Sequence, residues 1–131
     1  MFNKKKQPAI KSLIAEGSEI VGNMRFTDGL RVDGNVNGNI QAKDDVPSML
    51  VISETAHVVG EVSADHIIIN GSVIGPVNAR LMLELQPKAR IEGDVQYAAL
   101  EMHQGALITG QLRPILSAEE KPTLKLAANN Q

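Results

Sequence analysis

A five-residue phrase recurs along most of this chain and limits the folds that it can adopt. With Φ for an apolar residue, Φ-x-G-x-Φ begins at residues 20, 32, 36, 58, 69, 73, 91 and 108. Six of its glycines form a series with steps of 16, 22, 15, 18 and 17 residues: Gly22, Gly38, Gly60, Gly75, Gly93 and Gly110. A structural unit therefore repeats about every 17.6 residues. The longest step contains KDDVPS, residues 43–48, which we predict to be a loop inserted into one unit.

The spacing within the phrase predicts short β-strands. Residues i and i+4 of an extended chain share a face, so both apolar residues point inward and the x residues point outward. The glycine between them occupies little of the crowded interior and lets the chain bend. Segments such as LRVDG, LVISE and LMLEL alternate in the same way, without a helical period. The pattern predicts a single-domain, all-β solenoid of about six turns with a triangular cross-section.

A β-sandwich is the main alternative fold, because it also combines short strands with glycine turns. A sandwich gives no reason for one phrase to recur in nearly every unit, and it usually packs larger aromatic residues between its sheets. The chain is only 2% aromatic. This composition favours the thin interior of a solenoid, filled by Val, Ile, Leu and Ala.

Composition excludes several classes of protein. The chain has no cysteine, so it has neither a disulfide framework nor a thiolate metal site. A net charge of -2 and only three aromatic residues, Phe2, Phe26 and Tyr97, argue against nucleic-acid binding. No apolar run approaches the roughly 18 residues of a membrane span, and no signal-peptide h-region is visible. We therefore expect a protein that stays in the cytosol.

An enzyme with a left-handed β-helix is the main functional alternative. Trimeric hexapeptide acyltransferases also have about 18 residues per turn, so the period alone does not give the handedness. They need a histidine base between subunits, and related carbonic anhydrases need a zinc held by three histidines. His57, His66 and His103 are 9 and 37 residues apart, and no local motif brings them together. We expect surface histidines, no catalytic, cofactor-binding or metal-binding residue, and no enzymatic activity.

The two ends of a solenoid expose unpaired backbone groups over an apolar core, and most proteins cap them. The flanks PAIKSLIAEG and RPILSAEEK show no amphipathic period, and the proline in RPIL ends strand pairing. Bare ends predict end-to-end polymerisation. The predicted contacts are Ile20, Met24 and Phe26 at one end and Leu107, Ile108 and Leu112 at the other. In the alternative, residues 10–14 and 115–116 fold back over the ends as lids.

The tails differ from the predicted solenoid, which we place at residues 16–113. Residues 114–131 are polar and predicted to be disordered. Residues 1–15 are basic and carry Phe2 near the tip, which suggests a membrane tether. Each lysine near an anionic leaflet contributes about 1 kcal/mol and an inserted phenylalanine about 1.5–3 kcal/mol. This is weak for one chain but strong when a polymer joins many tails. The alternative is a basic tail that only improves solubility.

The repeat from about residue 16 to residue 112, which opens with AEGSEIVGNMRFTDGLRVDGNVNGNIQA, resembles the bactofilin family. The MFNKKK start and the RPIL exit strengthen the resemblance. It implies a right-handed parallel β-helix that assembles end to end, without nucleotide, into non-polar filaments. The absence of a phosphate-binding loop agrees, since GNVNG lies in predicted strands and precedes no helix.

The same resemblance implies a role and a location. Bactofilins are bacterial cytoskeletal scaffolds on the inner face of the cytoplasmic membrane, where they place peptidoglycan-modifying enzymes or their membrane partners. They thereby set cell shape or local morphology. Their membrane-targeting motif is an N-terminal Met-Phe followed by basic residues. It matches the residues Met1, Phe2, Lys4, Lys5 and Lys6 here. The insertion at residues 43–48 departs from a uniform repeat.

Overall fold

The computed structural model describes residues 8–115, which form sixteen β-strands and no helix. In chain order they are β1 (Ile10–Ile14), β2 (Glu19–Val21), β3 (Met24–Phe26), β4 (Asp28–Val32), β5 (Asn35–Asn37), β6 (Ile40–Ala42), β7 (Ser48–Ile52), β8 (His57–Val59), β9 (Val62–Ile69), β10 (Ser72–Ile74), β11 (Val77–Leu85), β12 (Arg90–Glu92), β13 (Val95–Tyr97), β14 (Leu100–Met102), β15 (Leu107–Thr109) and β16 (Leu112–Pro114). Every pairing between them is parallel.

The strands wind around three faces in six coils. Face 1 contains β1, β4, β7, β14 and the second halves of β9 and β11. Face 2 contains β2, β5, β8, β10, β12 and β15. Face 3 contains β3, β6, β13, β16 and the first halves of β9 and β11. We number the coils 1 to 6 from the N-terminus. The predicted all-β solenoid of about six turns is confirmed.

The core is a stack of apolar columns that run along the rod. In the third coil Val58 and Val62 are buried, whereas Val59 and Glu61 between them are exposed. The two apolar residues of the phrase therefore point inward and the x residues point outward, as predicted. The alternation arises because successive residues of a strand point to opposite faces of the sheet.

The predicted glycine series forms one column at the corner between faces 2 and 3. A Cβ atom at Gly60 would lie 2.2 Å from the carbonyl oxygen of Gly38 in the coil before it. Gly60 also has φ +148°, which side-chain-bearing residues rarely adopt. The glycines are thus required by close backbone contact at a corner, and not by lack of room in the interior as the sequence suggested. At Gly22, the first of the column, a Cβ would meet nothing within 4 Å.

Side chains beside the glycine column also join successive coils. Asn23 Oδ1 accepts a hydrogen bond from the Asn39 backbone N–H at 3.0 Å, and Asn39 Oδ1 accepts one from the Glu61 N–H at 2.9 Å. Asp94 Oδ1 repeats the contact with the Gln111 N–H at 3.1 Å. These bonds satisfy backbone donors at a corner where the strands are interrupted.

The inserted segment is the corner between β6 and β7 and is tied to the two coils that follow. The Ser48 N–H donates to Asp65 Oδ2 at 3.2 Å, and the Asp65 N–H donates to Ser48 Oγ at 2.9 Å. Arg80 Nε donates to Asp65 Oδ1 at 2.9 Å, and Arg80 Nη1 lies 3.6 Å from Asp44 Oδ1. Because Ser48 is fully buried, the insertion ends in a fixed polar contact.

The rod begins before the predicted boundary at residue 16. Strand β1 pairs with β4 in parallel and buries Ile14, which is 8% exposed. Residues 10–14 thus belong to coil 1 and do not form a lid. The sequence boundary fell later because this segment lacks the glycine phrase. Of the predicted tails at residues 1–15 and 114–131, residues 1–7 and 116–131 lie outside the described residues.

Candidate functional site: the two ends of the rod

Both ends of the rod present strands that are paired on one side only. The N-terminal end consists of β1, β2 and β3, which pair with β4, β5 and β6. The C-terminal end consists of β14, β15 and β16, which pair with β11, β12 and β13. Within residues 8–115 no further strand covers either end. The outermost backbone groups are therefore free to pair with another chain.

The apolar residues of the inner columns are more exposed at the two ends of the rod than in its centre. On face 2, one column contains Ile20, Val36, Val58, Val73, Ile91 and Ile108. Its four central members are 0–1% exposed, whereas Ile20 and Ile108 are half-buried. On face 3, the corresponding column begins at Met24 and ends at Leu112, which is 44% exposed. The core is thus cut open at both ends.

Four of the six predicted contact residues end these inner columns, and two are placed differently. Phe26 is only 8% exposed, so most of its ring is already covered within the rod. Leu107 aligns with Arg90 in an outward column of face 2 and is 57% exposed. It lies in the last coil, but its side chain points away from the rod axis. A stacked rod would therefore bury Ile20, Met24, Ile108 and Leu112 more effectively than these two.

Face 1 adds end residues that sequence reasoning missed. The column that begins at Ile14 ends at Met102, which is 44% exposed, and the column that begins at Ser12 ends at the half-buried Leu100. Leu100 lies 17 residues after Leu83, its partner in the previous coil. The repeat interval was the available signal, although no glycine phrase marks these strands. Most inner strand positions of both end coils are apolar, and Ser12 on β1 is an exception. Burial of apolar surface would therefore drive contact.

The three histidines do not form a common site. His57 points outward on face 2, and His66 lies on face 1. His103 follows β14, with Nε2 at 3.3 Å from Glu84 Oε2 and 3.0 Å from Glu101 Oε2. In the described part of the chain, this is the only group of three side chains with metal-ligand spacing. It contains a single histidine, so the arrangement of three histidines that the enzyme alternative needs is not present among these residues.

The predicted membrane-binding residues Met1, Phe2, Lys4, Lys5 and Lys6 lie outside the described residues. Between residues 8 and 115, no helix has the length and apolar character needed to cross a membrane.

A parallel β-solenoid whose apolar core is exposed at both ends has the surfaces that end-to-end assembly requires. These features define the class of polymer-forming proteins. Residues 12–113, or 102 of the 131 residues, match the family model described as "Bactofilin: Polymer-forming cytoskeletal". The chain therefore belongs to the bactofilin family, and the resemblance inferred from its sequence is confirmed. The family is structural and cytoskeletal. No curated protein and no solved structure shows a significant match to the chain.

Proposed function

We propose that this bactofilin polymerises end to end, without nucleotide, into non-polar filaments. The observation that carries the proposal is the open core at both ends, where Ile20 and Ile108 are half-buried although the residues between them in the column are not exposed. In a non-polar filament, N-terminal ends meet N-terminal ends and C-terminal ends meet C-terminal ends. Each joint is then a two-fold contact of a surface with itself, which apolar surfaces tolerate.

Negative-stain electron microscopy of the full chain tests this proposal, in plain buffer without nucleotide or metal. We expect long filaments about as wide as one rod. Uniform compact trimers would contradict the proposal and would instead favour the acyltransferase alternative. If the full chain formed filaments only after nucleotide was added, the proposed nucleotide-free assembly would be wrong.

We further propose that residues 1–7 hold the filament on the inner face of the cytoplasmic membrane. The support is the sequence of this segment, in which Phe2 precedes Lys4, Lys5 and Lys6. A single tail would bind weakly, but tails repeated along a filament act together. Membrane binding should therefore depend on polymerisation.

Flotation with anionic liposomes tests the tether. Deleting residues 1–8 should leave filaments intact and abolish their flotation, whereas deleting residues 116–131 serves as the control and should leave flotation unchanged. Phe2→Ala should weaken flotation without changing the charge. Filaments that float equally well without residues 1–8 would show that the tether lies elsewhere.

A filament on the membrane would act as a scaffold for peptidoglycan-modifying enzymes or their membrane partners, and so influence cell shape or local morphology. This part of the proposal rests on family membership and not on a surface of the rod. Bacterial two-hybrid or pull-down tests with wall enzymes and their membrane partners, using filament-forming and filament-deficient variants, would test it. Loss of capture by the filament-deficient variants alone is the expected result.

A further inference from the structure

The outer surface of face 1 carries an ordered column with one residue from each coil. From the N-terminal to the C-terminal end, the column contains Leu13, Arg31, Val51, Ile68, Glu84 and Glu101. The centre of this outer column is therefore apolar, with a cation on one side and two carboxylates on the other. Such an order distinguishes the two directions of the rod.

The centre of face 1 is apolar beyond this one column. The neighbouring positions of coils 3 and 5 are Met49, which is only 7% exposed, and the half-buried Met82, with His66 between them. The buried Nδ1 atom of His66 has no hydrogen-bond partner among the described residues. Apolar residues at outward positions normally mark a contact surface when they are contiguous.

Arg31 is held in place, and within residues 8–115 its Nη atoms have no hydrogen-bond partner. Its Nε donates to Asp33 Oδ1 at 2.8 Å, and its side chain is 50% exposed. Hydrogen bonds from Ser53 and from Arg31 lower the pKa of Asp33, so this carboxylate stays ionised beside the guanidinium. A guanidinium has five N–H donors. Asp33 neutralises part of the Arg31 charge, but it also fixes the orientation of the guanidinium, whose other N–H groups can still bind a second carboxylate.

The order of charges along the outer column selects the direction of a second rod. If two face 1 surfaces meet with their rods antiparallel, Val51 of each rod faces Ile68 of the other. Arg31 of each rod then faces Glu84 of the other, which gives two ion pairs around an apolar centre. If the rods are parallel and in register, Arg31 faces Arg31 and Glu84 faces Glu84. Like charges oppose that arrangement.

The area of face 1 explains why this contact would form between filaments and not between single rods. Face 1 is about five residues wide and six coils long, which corresponds to about 16 Å by 29 Å, or about 460 Å² for each rod. A stable interface buries about 800 Å² on each partner. One pair of rods would therefore separate readily, whereas the same contact repeated along a filament gains from avidity.

We propose that face 1 is the lateral contact through which two filaments pair, with the paired rods antiparallel and Arg31 opposite Glu84. This inference rests on the proposed polymerisation. Face 2 offers a rival surface, since Val59 and Ile74 are exposed at its centre. However, the residues that flank them in that column are Asn37 and Glu92, which form no pair of opposite charges.

Electron microscopy of the full chain, scored for the fraction of filament length that is paired, tests the inference. Ile68→Arg should reduce pairing by about tenfold or more while single filaments remain. Ile74→Arg is the matched control, because it makes the same change in the same coil on face 2. It should leave pairing unchanged.

A charge exchange tests the antiparallel register. Arg31→Glu and Glu84→Arg should each reduce pairing by about tenfold, and the double variant should restore it to within about twofold of wild type. The two residues lie three coils apart in one rod, about 14 Å, so their compensation must occur between rods. Glu92→Arg, in the same coil as Glu84 but on face 2, should have no effect. Continued filament formation shows that each variant is folded.

Several results would overturn the inference, and they differ from failure of the proposed function. Paired Ile68→Arg filaments would remove face 1 from the contact, and loss of pairing in Ile74→Arg alone would assign it to face 2. A double exchange that does not restore pairing would overturn the register. If filaments of the full chain stay single and filaments that lack residues 116–131 pair, this segment, and not a second rod, occupies face 1. A wild type that forms no filaments would overturn both this inference and the polymerisation itself.

Discussion

Replacing Leu112 by arginine should break one of the two kinds of joint in the filament. Leu112 ends the inner column of face 3 and is 44% exposed, whereas Val95 beneath it is not exposed. Full burial of a leucine side chain stabilises by about 1.5–3 kcal/mol, so burying the exposed part is worth about 1 kcal/mol for each chain. A joint between two C-terminal ends contains two copies. The arginines would forfeit about 2 kcal/mol and place two like charges in a desolvated contact, at a further cost of several kcal/mol.

The size of the remaining particle reports how the subunits are arranged. In a non-polar filament, Leu112→Arg breaks the C-terminal joints and leaves the N-terminal joints intact. Sedimentation velocity should then show dimers of twice the 14.1 kDa chain mass. Ile20→Arg should give dimers of the same mass, joined at the other end. The double variant should be a monomer, and circular dichroism should show the same β-structure in all three.

Two results would refute this reasoning in different ways. Filaments that persist in Leu112→Arg would show that the residue lies outside the joint. Monomers in both single variants would show that every joint uses one end of each kind, so that the filament is polar. Leu107→Arg provides a comparison in the same coil, because it places the charge on the outer surface. It should weaken assembly less than Leu112→Arg does.

Four further substitutions test the fold in the monomeric double variant by urea denaturation. Gly60→Ala should destabilise the rod by more than about 3 kcal/mol because its Cβ would lie 2.2 Å from the Gly38 carbonyl oxygen in the previous coil. Gly22→Ala has open space around the new Cβ and should cost about 1–2 kcal/mol. Equal losses of stability would contradict the argument from backbone contact. Asp65→Ala should cost about 1–3 kcal/mol because it removes the carboxylate that accepts from the Ser48 N–H and from Arg80 Nε. An unchanged midpoint would show that the insertion is not tied down there. Asn39→Ala should cost about 1 kcal/mol because the Glu61 N–H loses its acceptor, and an unchanged midpoint would show that this bond does not stabilise the corner.

The sequence predicted the repeat well because the close backbone contact at each glycine corner after Gly22 tolerates no other residue. Only glycine permits the contact between the backbones of Gly38 and Gly60, so the series could be read directly from the chain. Strand β1 and the end residue Leu100 were missed because face 1 has no such constraint. Its strands are marked only by alternation, which short segments show by chance.

The positions of the apolar residues at the ends were predicted in part, and their contacts stay a prediction. Apolar residues near residues 20–26 and 107–112 were correctly expected in the terminal coils, but Leu107 proved to point outward and Phe26 to be mostly covered. The steps between glycines range from 15 to 22 residues. Counting therefore gives the position within a coil only where the corners have regular lengths, and the length of each corner is not visible in the sequence.

The sequence by itself determined the class of fold, the period of the coil, the family and the apolar character of the ends, because each follows from residue types at short spacing. Only the tertiary structure decided which residues share a column. The outer column of face 1 joins Arg31 and Glu84, which are 53 residues apart, through registers set by backbone pairing between coils. That register depends on the corners, including the insertion held by Asp65 and Arg80, and no local pattern encodes it.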